Sequence, residues 1–284
     1  MKVLITGANG QLGKKIKDLS SNIDGFSFAF TDIDSLDISS WDVLNTFFED
    51  NEFDFLINCA AYTAVDNAED DFDAANLINT ISPGWMALLC AKHGIKFIHI
   101  STDYVFDGEA NIPYSEEAAT NPKSVYGKTK MGGEQMVLEK NPESIIIRTS
   151  WLYSEYGSNF VKTILRLANE KEFLKVVNDQ FGSPTYAGDL AAVIISIVKA
   201  ASNKWKPGIY HYSNQAEISW FDFASKILEI MEVKIPIFQV ASTEFPVKAT
   251  RPMYSVLSTQ KIIAEYNVEI PFWEDSLKLM LSRI

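Results

Sequence analysis

The sequence predicts an α/β protein with a doubly wound parallel sheet and a smaller C-terminal lobe. Through the first 150 residues, short apolar runs alternate with amphipathic stretches, and the first apolar run leads directly into a glycine-rich turn. After residue 151 the alternation breaks, and turn-forming residues and prolines become frequent. Alternating strands and helices are typical of a parallel sheet that is covered by helices on both faces.

Six apolar runs have the length and composition of buried strands. Each is short, rich in β-branched or aromatic residues and flanked by turn residues, and together they cover residues 3–6, 27–31, 53–58, 96–100, 144–149 and 208–212. Amphipathic periodicity predicts helices near residues 11–20, 40–50, 72–93, 125–140, 158–171 and 187–201. Two further helices are predicted, one that begins after Ser219 as N-cap and runs to Met231, and a short one from Trp273. Residues 178–185, between the helices predicted at 158–171 and 187–201, are rich in turn formers.

The composition limits the function classes. The 284 residues carry a net charge of −12, which disfavours nonspecific binding to nucleic acid or to an anionic membrane. No apolar segment has the length needed to span a membrane. Cys59 and Cys90 are the two cysteines, and their spacing suits neither a metal site nor a redox pair. We therefore expect a cytoplasmic protein.

Three glycines, Gly7, Gly10 and Gly13, separate the first predicted strand from the first predicted helix. Glycine allows a tight turn, lets the backbone approach a pyrophosphate and permits close packing of helix on sheet. The spacing Gly-x-x-Gly-x-x-Gly differs from the dinucleotide fingerprint Gly-x-Gly-x-x-Gly, so a ligand-free turn is the alternative. The position after the first strand favours a nicotinamide dinucleotide, NADPH or NADH.

Acidic residues follow the second predicted strand at Asp32, Asp34 and Asp37. An acid about 20 residues beyond the glycines can bind a ribose 2′-hydroxyl, and Asp32 has that position. Because three acids crowd this loop, the choice between NADH and NADPH stays open. After the third strand, the small residues of the run 58–63, including Ala60, would let a cofactor lie against the backbone or would simply pack the strand end.

Tyr126 and Lys130 are four residues apart on a predicted helix and therefore share one face. An ammonium group beside a phenol stabilises the phenolate and lowers its pKa toward neutrality. Thr102 follows the fourth strand, where its hydroxyl could hold the other side of a reacting carbonyl. An isolated Tyr-x-x-x-Lys is commonly a surface pair, but the order of glycine turn, threonine, tyrosine and lysine favours a catalytic set. Together they predict hydride transfer to or from a carbonyl, with Tyr126 as general acid.

The motifs resemble the extended short-chain dehydrogenase/reductase family and, within it, the dTDP-4-dehydrorhamnose reductases. The resemblance covers nearly the whole chain in order and rests on residues 60–66, 101–106, 121–122, 125–130, 148–151, 178–185 and 251–252. It implies a Rossmann-type sheet with a substrate-binding lobe, and NAD(P)H-dependent reduction of a dTDP-linked deoxy-ketosugar. The dinucleotide-binding domain would cover residues 1–150 and 186–218, and the lobe residues 151–185 and 219–284.

The same resemblance implies roles for individual residues. Gly10, Gln11 and Leu12 would contact the pyrophosphate, Asp37 and Ile38 the adenine side, and Ala61, Tyr62 and Thr63 the middle of the cofactor. Lys130 would hydrogen-bond the nicotinamide ribose. Thr102 and Asp103 would face the sugar. Trp151, otherwise interpreted as core packing, would pack on the sugar, and Arg251, otherwise a surface arginine, would bind the diphosphate.

One departure from the family concerns metal. Some relatives are thought to dimerise through a magnesium ion held by an acid on the first helix, where this chain has Gly13-Lys14-Lys15. Because cations do not ligate a metal, we expect no metal and a monomer or weak homodimer.

Three other functions stay open. A nucleotide-sugar epimerase would share the same catalytic set, and a 4,6-dehydratase needs an Asp-Glu pair after the threonine, where this chain has Asp103-Tyr104. A non-catalytic NADP-binding regulatory subunit could dispense with the tyrosine or the lysine, but both are present.

Overall fold

The computed structural model of the protein describes residues 1–21, 23–245 and 247–284. Its strands are β1 (Lys2–Thr6), β2 (Ser27–Phe30), β3 (Phe55–Asn58), β4 (Lys96–Thr102), β5 (Ile145–Thr149), β6 (Leu152–Tyr153), β7 (Leu174–Val177), β8 (Phe181–Gly182), β9 (Thr185–Tyr186), β10 (Gly208–Tyr212), β11 (Ile218–Ser219) and β12 (Ile237–Val240). Its α-helices are α1 (Gln11–Ser20), α2 (Trp41–Asp50), α3 (Val65–Ala68), α4 (Phe72–Asn76), α5 (Ser82–His93), α6 (Val125–Lys140), α7 (Phe160–Glu170), α8 (Ala187–Ala200), α9 (Trp220–Ile230), α10 (Gln260–Tyr266) and α11 (Trp273–Leu281).

Six strands form one parallel sheet in the order β10-β5-β4-β3-β1-β2. Strand β1 lies between β2 and β3, so the direction of the crossovers reverses at β1. In open parallel sheets, ligands bind at such a switch point, outside the carboxyl ends of the strands. The α/β prediction is confirmed, and all six predicted strands belong to this sheet.

Two hydrophobic cores cover the two faces of the sheet. On one face, Leu12 and Ile16 of α1 pack with the apolar stripe of α8, and Ile262 of α10 joins them. On the other face, α2 and α5 bury their apolar sides together with Val137 of α6. Covering both faces explains why the strands are continuous apolar runs, such as Ile145–Ile147, rather than alternating ones.

The predicted helix at 72–93 is present but interrupted. A π-helical turn at Leu77–Ile81 joins α4 to α5. Such a turn accommodates an extra residue in the helix, and it is frequent at functional sites.

A third hydrophobic core is formed by segments that precede and follow β10 in the chain. Tyr153, α7, α9 and α11 supply most of its buried side chains, including Phe223 and Trp273. Three two-stranded pairings, β6–β9, β7–β12 and β8–β11, accompany it. Pro246, which the predicted lobe includes, lies outside the described residues. The predicted domain boundaries themselves stay a prediction.

In the part of the chain that the structure describes, no helix is both long and apolar enough to cross a membrane.

Candidate active site

The carboxyl ends of the central strands open into a cleft of about 880 Å³. Seventeen of the residues predicted for the site line this cleft: Gly7, Gly10, Gln11, Leu12, Gly13, Asp32, Asp37, Ile38, Ala60, Ala61, Tyr62, Thr63, Thr102, Asp103, Tyr126, Lys130 and Trp151. Arg251, also predicted, is not among its lining residues. The cleft therefore brings the glycine turn and the catalytic set together.

The turn between β1 and α1 requires glycine at two positions. Gly7 has a left-handed backbone with φ of 66°, and a Cβ there would lie 2.6 Å from the backbone nitrogen of Ala60. At Gly13, a Cβ would lie 2.5 Å from the carbonyl oxygen of Gly7. Both distances are too short for real carbon atoms, so these glycines let α1 pack directly on the strand end.

Helix α1 begins at the exposed N-cap Gly10, which has extended backbone and no side chain to cap the helix. The N–H groups of the first turn are therefore available for an anion, and the helix dipole favours negative charge there. The side chain of Gln11 is engaged elsewhere, because its amide oxygen accepts hydrogen bonds from Asn159 at 2.9 Å and Ser154 at 3.2 Å. The arrangement fits the pyrophosphate of a dinucleotide.

The acids after β2 have different partners. One carboxylate oxygen of Asp32 accepts the backbone N–H of Asn9 at 2.8 Å and the other accepts that of Ile33 at 2.9 Å. Asp37 accepts the backbone N–H of Ser39 at 2.9 Å and its hydroxyl at 2.6 Å. Asp32 is thus fixed against the glycine turn, whereas Asp37 shapes its own loop.

Asn79 is a positioning residue that the sequence did not single out. It lies in the π-helical turn, is fully buried and accepts the backbone N–H of Tyr62 at 2.9 Å. Its amide nitrogen donates to the Tyr62 carbonyl at 3.1 Å and to the Thr129 hydroxyl at 3.2 Å. Asn79 thus joins the 60–63 loop to α6. A polar residue within a predicted apolar helix face was the only signal in the sequence.

The catalytic set comes from β4 and α6. Thr102 is the last residue of β4, and its hydroxyl donates to the Asp103 carboxylate at 3.0 Å. Tyr126 lies in the first turn of α6, which Ser124 caps by accepting the N–H of Gly127 at 3.1 Å. One turn further on, the Lys130 amine donates to the Ile100 carbonyl at 2.6 Å.

Burial changes the ionisation of these groups. It raises the pKa of Tyr126 above its usual value, although a hydrogen bond with Thr102 acts in the opposite direction. Burial lowers the pKa of Lys130 to about 8, opposed by the charge of Glu134. The prediction that Lys130 lowers the pKa of Tyr126 is wrong for this structure, because burial raises that pKa and the lysine amine bonds to the Ile100 carbonyl instead.

Asp103 is a buried carboxylate at the edge of the catalytic set. Burial raises its pKa to about 6, against the effects of Ser255 and Thr102, which lower it. Although Ser255 is close enough to affect the pKa, oxygen Oδ2 has no partner in hydrogen-bond geometry among the described residues. Asp103 thus presents a polar atom that a hydroxyl-bearing ligand would satisfy.

A buried ion pair supports the catalytic helix from behind. Glu134, four residues after Lys130, accepts two hydrogen bonds from Arg148 of β5, at 2.8 and 2.7 Å. It also accepts the hydroxyl of Ser101, which precedes Thr102, at 2.5 Å. One carboxylate therefore links α6 to β4 and β5, the elements that position the catalytic set.

Trp151 follows β5 and lines the cleft with an unusual backbone. Its φ is 47°, in the left-handed region that non-glycine residues rarely adopt. Its indole stacks on that of Trp220 with ring centres 3.5 Å apart and planes 8° apart. No role was predicted for Trp220.

Arg251 lies beside the cleft rather than in its wall. Its guanidinium donates to the Asp66 carboxylate at 2.9 Å and lies 3.5 Å from the hydroxyl of Tyr104, which does line the cleft. The diphosphate role therefore stays a prediction, and reaching a ligand would require Arg251 to exchange Asp66 for it.

No group of three or more His, Cys, Asp or Glu side chains placed to hold a metal ion occurs within residues 1–21, 23–245 and 247–284. Lys15, on the first helix, is buried with its amine 3.0 Å from Asp18 and 2.8 Å from Glu155.

The chain is similar to known proteins along its whole length. The family model described as the RmlD substrate binding domain matches residues 1–284. A dTDP-4-dehydrorhamnose reductase of Aggregatibacter actinomycetemcomitans is 38% identical over 98% of this chain and 97% of its own. The spore coat polysaccharide biosynthesis protein SpsK of Bacillus subtilis is 40% identical over 98% of this chain and 95% of its own. Among solved structures, a dTDP-4-dehydrorhamnose reductase of Bacillus anthracis in complex with NADP has a TM-score of 0.94 at 38% identity, covering 100% of this chain and 99% of that one.

Proposed function

The chain belongs to the family described as the RmlD substrate binding domain, and on that premise we propose that it reduces dTDP-4-dehydro-L-rhamnose to dTDP-L-rhamnose with NADPH or NADH. The observation that carries the proposal is that Thr102, Tyr126 and Lys130 line the same cleft as the glycine turn. A proton donor and a dinucleotide site that share one cleft suit the reduction of a carbonyl. The product is a precursor of cell-surface polysaccharide.

The cofactor supplies a hydride to the ketone carbon when it is bound. The chain's own residues bind and orient it. Backbone N–H groups at Gly10–Leu12 would hold the pyrophosphate. Asp32, Asp37 and Ile38 would hold the adenosine end. Ala61–Thr63, held by Asn79, would support the middle of the cofactor.

Tyr126 delivers the proton. A phenol is protonated at neutral pH, so Tyr126 would donate its proton to the C4 oxygen as negative charge develops there. The Thr102 hydroxyl would be a second donor to the same oxygen once its single proton turns from Asp103 to the substrate. Lys130, with a pKa of about 8, is mostly charged at neutral pH, and its amine would bond the nicotinamide ribose in addition to Ile100.

The remaining residues orient the sugar nucleotide. Asp103, with its unpartnered oxygen, would accept a sugar hydroxyl, and Trp151 would pack on the sugar ring. Arg251 would bind the diphosphate after leaving Asp66. Its guanidinium would then supply local positive charge on a chain whose net charge is −12.

The assay follows NADPH and NADH absorbance after addition of enzymatically prepared dTDP-4-dehydro-L-rhamnose. We expect absorbance to fall in proportion to the dTDP-L-rhamnose formed. No loss of absorbance, with active upstream enzymes present, would rule out the reductase. A protein that copurifies with tightly held NAD and interconverts sugars without net oxidation would be an epimerase. Cofactor binding without any turnover would indicate a regulatory subunit.

Replacing Tyr126 by phenylalanine tests the proton donor. We expect turnover to fall by about 10²–10⁴-fold, the usual contribution of a positioned acid, while the dissociation constant for NADPH stays unchanged. Tyr266→Phe is the control, since its hydroxyl contacts the backbone of Lys206 near the surface. Unchanged turnover in Tyr126→Phe would assign the proton to another group.

We also expect a cytoplasmic location and a monomer or weak homodimer without a bridging metal. Sedimentation velocity with and without magnesium and chelator would measure the oligomeric state.

A further inference from the structure

The backbone of Trp151 is held in a conformation that an isolated residue would leave. A φ of 47° brings the Cβ of an L-residue close to its own backbone, and bulky side chains adopt it only when surrounding contacts enforce it. Such positions cluster at ligand-binding sites. Trp151 lines the cleft two residues after Thr149, which is the register partner of Thr102 in the sheet. Residue 151 is therefore at the end of the cleft that holds the catalytic threonine.

One of the contacts around Trp151 is with Trp220, the first residue of α9. The two indoles are nearly parallel, with planes 8° apart and centres 3.5 Å apart. Trp220 is fixed in turn by Phe160 of α7, at a ring distance of 4.5 Å. Each large aromatic ring of this kind buries a large apolar surface against its neighbours.

Gly182 and Thr185 also contact Trp151. A Cβ at Gly182 would lie 2.5 Å from atom Cε2 of the Trp151 ring, so the ring occupies space that any other residue would fill. The backbone N–H of Thr185 donates to the Trp151 carbonyl at 3.2 Å. Residues of β8, β9 and α9 thus hold Trp151 in place.

Trp220 does not itself reach the ligand space. Within the described residues, Trp151 lines the cleft, but Trp220 and Phe160 do not. Any effect of Trp220 on the reaction must therefore pass through Trp151.

We propose that Trp220 is a positioning residue for the sugar nucleotide, which acts by stacking on Trp151 and holding that indole against the ligand. The proposal rests on the proposed function, because it takes a ketosugar to be the ligand at this end of the cleft. Without the stack, Trp151 is free to leave its left-handed conformation and the wall of the cleft loses its shape. The sugar would then bind with its C4 carbonyl out of line with Tyr126, while the cofactor site at α1 would be untouched.

The test compares Trp220→Leu with Trp220→Phe. Leucine keeps apolar bulk but removes the stack, whereas phenylalanine keeps an aromatic face. We expect kcat/KM for the sugar nucleotide to fall by about 10–100-fold in the leucine variant, since a displacement of about 1 Å can cost 100-fold. In the phenylalanine variant, kcat/KM should be close to that of the wild type. The dissociation constant for NADPH should stay unchanged in both.

A spectroscopic readout reports the stack directly. Two closely stacked indoles couple their transitions, so circular dichroism should lose a tryptophan signal in both variants. Trp85→Phe is the matched control, because it removes an indole from the edge-on Trp41–Trp85 pair, 5.9 Å apart on α2 and α5 and away from the cleft. This variant should leave kcat/KM unchanged.

The outcomes separate the two proposals. A wild-type protein that does not oxidise NADPH with the ketosugar overturns the proposed function. A wild type that turns over, together with a leucine variant of unchanged kcat/KM, overturns the role of Trp220. Loss of NADPH binding in both variants would also overturn it, since the residue would then support the fold as a whole.

Discussion

The Tyr126 phenol and the Lys130 amine both belong to the cleft, and desolvation affects their charges in opposite ways. Burial favours the neutral form of each group, so it raises the pKa of the acid and lowers that of the base. Tyr126 consequently stays protonated over the physiological range. Lys130, with a pKa of about 8, loses its charge close to the physiological pH range.

The pH dependence of kcat/KM should therefore have an alkaline limb near pH 8. Lys130 is charged below that pH and loses its proton as the pH rises, and with it the attraction for the developing phenolate and oxyanion. The limb should move to higher pH in Lys130→Arg, because a guanidinium stays protonated. A flat profile up to about pH 9, or an identical limb in the arginine variant, would contradict the assignment.

The other ionisable groups around Lys130 titrate elsewhere. Burial raises the pKa of the Cys59 thiol to about 12, and burial with the lysine charge lowers the pKa of His99 well below its usual value. Asp103, with a pKa of about 6, would instead affect the acidic side of the profile. The alkaline limb thus belongs to one group.

At the residue scale, sequence reasoning found what is local in the chain. Tyr126 and Lys130 belong to one helix turn, and the three glycines to one loop, so their spacing is informative. Trp220 is 69 positions from the residue on which it stacks, and Asp66 pairs with an arginine 185 positions away. No local pattern predicts such pairs, since they depend on how distant segments dock.

At the scale of elements, Gly10 and Gly13 of the β1–α1 turn have different roles. Gly13→Ala places a methyl group 2.5 Å from the Gly7 carbonyl, so the turn must open. We expect a loss of about 1–3 kcal/mol in unfolding free energy, as in other overpacked sites. Gly10→Ala meets its nearest atom at 3.2 Å and projects from an exposed position in the cleft wall. It should mainly weaken NADPH binding. Denaturant unfolding and NADPH titration of both variants make the comparison, and equal effects on stability would contradict it.

The Glu134–Arg148 pair gives a second prediction at this scale. Both side chains are at most 4% exposed, and His211, 3.4 Å from the guanidinium, stays neutral because burial and the arginine charge lower its pKa to about 3. Glu134 is thus the only carboxylate that the structure pairs with Arg148 in the described residues.

Glu134→Gln should therefore cost about 3–5 kcal/mol in unfolding free energy, because it leaves a buried charge uncompensated. The double variant Glu134→Leu/Arg148→Met should recover much of that loss. Denaturant titration of the three proteins measures it, and a double variant less stable than the single one would show that the charges themselves stabilise the fold.

Element prediction succeeded where a period extends over several turns. The long helices have such periods and the six sheet strands are continuous apolar runs, and the bounds of both were predicted within a few residues. Strands of two residues, such as Leu152–Tyr153, are too short for either pattern, and a π-helical turn of five residues, Leu77–Ile81, has no sequence signature of its own. These features are fixed by the docking of segments and were not foreseen.

At the scale of the whole molecule, the segment after β6 is joined to the first helix through side chains. Lys15 of α1 bonds to Glu155, Gln11 accepts hydrogen bonds from Ser154 and Asn159, and the Tyr156 hydroxyl donates to a carboxylate of α1. The first turn of the same helix is proposed to hold the pyrophosphate. Cofactor binding and the docking of the 152–159 segment thus both depend on α1.

The pair Lys15–Glu155 should consequently contribute a measurable coupling energy between these two parts. The amine is 2% exposed and the carboxylate 10%, so solvent screens the pair far less than a surface pair. In a double-mutant cycle with Lys15→Met and Glu155→Gln, we expect a coupling in unfolding free energy of about 1–3 kcal/mol. The exposed Arg166–Glu170 pair of α7 is the control, with about 0.5 kcal/mol or less. If the effects of the Lys15 and Glu155 variants simply add, the segment docks on α1 without help from this pair. Arg283, 3.3 Å from the same carboxylate, would then be the charge that holds it.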